Sequence, residues 1–104
     1  MRRLHVALAV DDLESTIQDY SGRLGAAPVA VVDGKYALWR TAEVNLSVNC
    51  DPGGSVRLRH VGFEDDEVLG KTESIDVNGL KWEWFNASIQ DSEIARAYGV
   101  PRQT

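Results

Sequence analysis

The sequence predicts an α+β domain of paired βαβββ modules, the second of them truncated, and three observations carry that expectation. The chain opens on a period-two strand that runs straight into a capped helix. Three short β-type runs separated by turn residues follow that helix. About 55 residues later the opening pattern returns: His5-Val6-Ala7-Leu8 followed by Asp11-Asp12 is echoed by His60-Val61-Gly62-Phe63 followed by Asp65-Asp66.

In residues 4–10, Leu4, Val6, Leu8 and Val10 share one face and His5, Ala7 and Ala9 the other, the alternation of a strand. Asp11 is placed to accept from the first-turn amides of a helix and Glu14 to reach back, an Asp-type capping box. Leu13, Ile17, Tyr20 and Leu24 then recur every three or four residues as one apolar stripe, and Gly25 suits the left-handed C-terminal position, so the helix is expected over 12–24. Residues 28–32, 35–40 and 43–49 read as three antiparallel strands, the first two joined by an Asp33-Gly34 hairpin. Residues 51–55, Asp-Pro-Gly-Gly-Ser, are the richest turn stretch and divide the single domain into a first module of about 1–50 and a second of about 56–104.

The second module begins with a strand over 56–64. Val68, Leu69, Ile75 and Val77 then suggest a helix through about residue 78, opened by the acidic run Asp65-Asp66-Glu67 and weakened by Gly70 and its β-branched residues. Asn78-Gly79 ends it, residues 80–85 form an aromatic-rich strand, and Ile94, Ala95 and Tyr98 give a short helical face over 91–98. By this reading the second module is about two strands short.

Composition narrows the function classes. Of 104 residues, 43% are hydrophobic and 26% charged, which is ordinary for a folded domain and unlike a disordered or collagen-like chain. A formal net charge of −5 repels polyanions, so no nucleic-acid partner is expected. No apolar run approaches the ~20 residues of a membrane span, and no membrane partner is expected. Cys50 is the sole cysteine, so disulfide redox chemistry is excluded, and with no leader pattern at the start the chain reads as cytoplasmic.

Specific stretches resemble the vicinal oxygen chelate superfamily of glyoxalases, extradiol dioxygenases and bleomycin- or fosfomycin-resistance proteins. They are Leu4-His5-Val6-Ala7-Leu8-Ala9-Val10-Asp11-Asp12-Leu13-Glu14, Ile17-Gln18-Asp19-Tyr20-Ser21 with Leu24-Gly25, Val44-Asn45-Leu46-Ser47-Val48-Asn49, and Arg59-His60-Val61-Gly62-Phe63-Glu64. Within the superfamily the wording is most similar to a small cadmium- or arsenic-inducible branch, although that branch's adjacent cysteine pair is replaced by Ala87-Ser88-Ile89-Gln90. The resemblance implies two half-modules curled into a cup, their first strands side by side, and a divalent metal held by one histidine from each of those strands and a closing glutamate. His5 and His60 match the histidine positions, and the implied metal is iron, manganese, nickel or zinc. Asn45 stands where glyoxalase-like members have a further acidic ligand, and residues 81–85 read as the strand after the second helix, which leaves the closing strand without a counterpart.

Three functions follow as expectations. The first is a small-molecule-binding or degenerate member without a complete metal site, its cup lined by Tyr36, Asn45, Ser47, Trp82 and Trp84 around a small organic ligand. The second is a divalent-metal-dependent lyase or dioxygenase with His5 and His60 as ligands and Glu83 as a substitute third, against the simpler reading of Glu83 as the solvated face of a strand. The third is a homodimeric interaction module, because missing strands leave sheet edges to be covered; a homodimer is expected in any case.

Overall fold

The computed structural model describes residues 1–103 and confirms a mixed α+β architecture. One eight-stranded sheet runs in the order β6-β7-β5-β1-β4-β3-β2-β8, and two helices pack on its opposite faces.

Strand β1 (Arg2–Val10) leads into helix α1 (Leu13–Leu24). Its cap is Asp12, not Asp11: the Asp12 side chain accepts from the Ser15 amide at 3.1 Å, while Asp11 accepts from Gly53 N at 2.5 Å and ties down the turn after β4. Gly25 takes the left-handed conformation at φ 66° and its N–H returns to the Ser21 carbonyl. The expected stripe is the packing face: Leu13, Ile17, Tyr20 and Leu24 meet Val10, Val31, Ala37, Trp39 and Val48. Trp39 is fully buried there.

Strands β2 (Ala30–Val32) and β3 (Tyr36–Arg40) form the expected hairpin, though its loop is three residues long. Gly34, at φ 73°, makes that geometry possible, and Lys35 N closes onto the Val32 carbonyl. Strand β4 (Val44–Cys50) pairs antiparallel with β3 and parallel with β1, placing Asn45 beside His5. Strand β5 (Arg57–Asp65) then pairs antiparallel with β1, so the first strands of the two halves lie side by side as expected.

The second half departs from expectation directly after β5. No helix forms over 65–78. Leu69 is 96% and Val77 99% exposed, Ile75 is exposed and Val68 only half-buried, so the residues that suggested an apolar helical face form none. The acidic run is used differently: Asp65 accepts from Glu67 N at 2.9 Å and from Trp84 Nε1 at 3.0 Å, and Asp66 pairs with the N-terminal ammonium. A short turn replaces the helix and leads into β6 (Thr72–Ile75). Asp76 organises the next hairpin by accepting from the amides of Asn78 and Leu80 and from Trp82 Nε1.

Strand β7 (Lys81–Phe85) runs parallel to β5 and antiparallel to β6. The β5-β7-β6 arrangement repeats the pairing pattern of β1-β4-β3, with no helix between β5 and β6. Helix α2 is longer than the expected 91–98, spanning Ala87–Tyr98, with Asn86 as a cap accepting from Ile89 N. It crosses from β7 to β8 (Arg102–Gln103), which pairs with β2 at the far edge of the sheet. On the way Ile94 packs on Ala30, Tyr36 and Leu38, and Tyr98 stacks on Tyr36. No helix among the described residues is long and apolar enough to cross a membrane.

Candidate metal centre

Alternation along β1, β5 and β7 sends His5, His60 and Glu83 to the sheet face that α2 covers, opposite α1. His5 Nε2 lies 3.0 Å from His60 Nε2, and His60 Nε2 lies 3.3 Å from Glu83 Oε1. The three candidate donor atoms are all within 4.8 Å of one another. Two nitrogens each about 2.1 Å from a common ion, and at right angles around it, stand about 3.0 Å apart. The donors thus fit a divalent ion in spacing, and imidazole with carboxylate suits iron, manganese, nickel or zinc.

The hydrogen-bond network behind His5 assigns its ring orientation. Glu64 can only accept: its Oε1 takes a hydrogen bond from Asn45 Nδ2 at 2.9 Å, and its Oε2 receives Arg3 Nη1 at 2.6 Å. Arg40 Nε also lies 3.1 Å from Glu64 Oε1. Arg40 Nη2 can only donate and fixes Gln90 Oε1 at 2.8 Å, which turns Gln90 Nε2 toward Asn45 Oδ1 at 3.0 Å. With Asn45 Nδ2 committed to Glu64 and Gln90, its Oδ1 faces His5 Nδ1 at 2.8 Å. Nδ1 must therefore carry the proton, and Nε2 presents a bare lone pair toward His60. A partner fixing the far nitrogen is the usual support of a metal-binding histidine.

Burial lowers the pKa of His5, opposed chiefly by the hydrogen bond to Asn45, and lowers His60 to about 4, opposed by the nearby Glu83 carboxylate. Both rings are neutral at pH 7, the form a metal requires. Stability follows the same sign. Above their ordinary value of 6.5 both states are neutral at these positions and the contribution is fully present. As the pH falls from 6.5 toward 4, the unfolded chain takes up protons that the folded chain refuses, and stability is lost. Urea midpoints should fall between pH 7 and pH 4.5 in the native protein and fall much less in a His5→Gln/His60→Gln variant. An unchanged native midpoint across that window would contradict the assignment.

Glu83 is only 8% exposed, against the reading of this glutamate as a solvated strand face. Its Oε2 meets Lys81 Nζ at 3.1 Å and its Oε1 lies 3.5 Å from Lys71 Nζ, which is itself held by Glu93 at 2.8 Å. Beside the three donors opens a cavity of about 180 Å³ whose walls include Tyr36, Ser47, Phe85, Ile94 and Tyr98. Burial pushes the Tyr36 hydroxyl far up, so it remains a neutral hydrogen-bonding group.

Of the residues expected to line the cup, Tyr36 and Ser47 do so, and Asn45 lies behind His5 as its hydrogen-bond partner, out of the cavity wall. Trp82 and Trp84 do not. The pleat of β7 places them on the opposite face, packed around Phe63, where Arg2 lies over the Phe63 and Trp84 rings. Sequence reasoning missed Glu64, Arg40 and Gln90. Glu64 was within reach, since it shares the strand face of His60 by period two; Gln90 and Arg40 acquire their roles only through the crossing of α2.

No protein-family model matches the chain, and no curated protein matches it in sequence.

Proposed function

We propose that the protein is a shortened vicinal-oxygen-chelate-type domain that binds a divalent metal through His5, His60 and Glu83 and a small oxygen-bearing ligand in the adjoining cavity. The observation that carries this reading is the convergence of the three donor atoms within 4.8 Å, with both imidazoles neutral. The strand pairing supports it as well. Strand β7 stands beside β5 as β4 stands beside β1, and this parallel supports Glu83 as the counterpart of the closing glutamate. In βαβββ terms the second module has lost its helix and second strand and kept its last.

A bound ion would supply Lewis-acid polarisation of a ligand oxygen. The protein's own groups then do the rest: Asn45 holds His5 by Nδ1, the hydroxyls of Tyr36 and Ser47 offer hydrogen bonds, and Phe85 and Ile94 keep the wall dry. The cavity is small compared with the roughly 300–1,000 Å³ of drug-sized sites, so a ligand of a few heavy atoms is expected.

A metal-free binding cup is the second reading, favoured by the Lys71 and Lys81 ammonium groups that already neutralise Glu83. Calorimetric titration of chelator-treated protein with nickel or zinc separates the two. One ion per chain is expected. Absence of saturable metal binding would leave the metal-free cup. Homodimerisation is proposed alongside, because β6 is an edge strand with all four residues exposed and Leu69 and Val77 flank it.

A further inference from the structure

Arg59 and His60 are consecutive residues of β5, and consecutive residues of a regular strand point to opposite faces. Both nevertheless line the same cavity. The cause is a bulge: Ala7 pairs with His60 and Leu8 with Leu58, so Arg59 has no partner on β1. The strand gives up a rung of regular pairing at the one place where doing so brings Arg59, a solvent-exposed residue, to the cavity wall beside a candidate metal ligand.

Its lack of a carboxylate partner sets Arg59 apart from the other charged groups of the cavity. The two carboxylates of the wall already have partners, Glu83 in Lys81 and Lys71 and Glu93 in two hydrogen bonds from Lys71, while Glu73 shares both ammonium groups. Arg59 makes no ion pair among the described residues, unlike its near neighbour Arg57, which holds Asp51 at 2.6 Å. Arg59 is therefore the one lysine or arginine in the cavity wall, and no carboxylate among the described residues holds it.

We propose that Arg59 is an anion-recognition residue and that the cavity's ligand is a small carboxylate carrying a second oxygen, such as a 2-hydroxy or 2-oxo acid. This inference rests on the proposed ligand-binding role of the cavity. Arg59 takes the carboxylate through its fork of N–H donors, and the neighbouring oxygen is directed toward His5, His60 and Glu83. Three heavy atoms beyond the carboxylate carbon approach the limit of so small a cavity.

Glycolate and ethylene glycol serve as probes, since they match in size and carry neighbouring oxygens but differ in one negative charge. Binding is followed by NMR shift titration in the chelator-treated and the nickel- or zinc-loaded protein. Glycolate should bind roughly 10-fold or more tightly than ethylene glycol, Arg59→Gln should remove that preference, Arg59→Lys should keep part of it, and Arg57→Gln should leave it intact. Equal binding of the two probes, or an unaltered preference in Arg59→Gln, would overturn the inference. Arg59-dependent glycolate binding in a protein that takes up no metal would uphold it while removing the metal reading. Saturable metal binding without any charge preference would do the reverse.

Discussion

Replacing His60 by alanine is expected to weaken divalent-metal binding by more than about 100-fold, because removing even the outer hydrogen-bond partner of a metal ligand typically costs 10–100-fold. His60 is the bridge of the site: its Nε2 lies 3.0 Å from His5 Nε2 and 3.3 Å from Glu83 Oε1, and without it the two remaining donors offer no tight chelate. The folded state should tolerate the change, since His60 is only partly buried and no backbone group depends on its ring. Titration calorimetry with nickel or zinc reads the affinity, and circular dichroism confirms the fold. Asn45→Ala should give a smaller loss, within the 10–100-fold range, because it releases His5 Nδ1 without removing a donor. Equal affinity in the native protein and His60→Ala would place the metal elsewhere.

Gly62→Ala should damage the domain and the site together. Gly62 pairs with Glu83 across the parallel β5–β7 ladder, and a Cβ there would run into the Glu83 backbone, reaching 2.8 Å from its nitrogen and closer still to its carbonyl group. Backbone cannot swing aside as a flexible side chain can, so the two strands must separate. Overpacking of this kind typically costs 1–3 kcal/mol, occasionally more. Because Glu83 sits at the point of collision, the same displacement should carry its carboxylate away from His60. Denaturant unfolding should show the lost stability, and metal titration should show weakened binding in whatever fraction stays folded. Gly70→Ala is the control: an added Cβ there meets nothing within 4 Å, and its stability should stay within about 0.5 kcal/mol of the native protein. Native-like stability in Gly62→Ala would contradict the close β5–β7 approach.

The first half of the domain was legible because its signals are local. A period-two strand, an apolar stripe closed by Gly25 and an Asp-Gly turn each declare themselves within a dozen residues, and the structure uses all three. Even the cap missed by one residue only, since Asp11 and Asp12 are equivalent in chemistry and the backbone decides between them. The pairing of His5 with His60 was legible through the 55-residue echo. The second half misled for the opposite reason. Asp65-Asp66 looks like Asp11-Asp12, but its carboxylates go to Trp84 and the N-terminus, contacts 19 and 65 residues away that no local pattern announces. Glu83 looked solvated because tryptophans flank it. Its burial comes from the parallel ladder with β5 and the roof formed by α2, both set by pairing across the whole sheet. Gln90 gave no signal at all, because its partners Asn45 and Arg40 lie 45 and 50 residues before it.

The most direct measurement is the position of an ion in a crystal of the protein grown with nickel or zinc, located by its anomalous scattering. A single strong peak about 2.0–2.2 Å from His5 Nε2, His60 Nε2 and a Glu83 oxygen is the expected result. A peak confined to the exposed Asp65-Asp66-Glu67 cluster, or no peak while His5 and His60 remain hydrogen-bonded to one another, would contradict the metal centre.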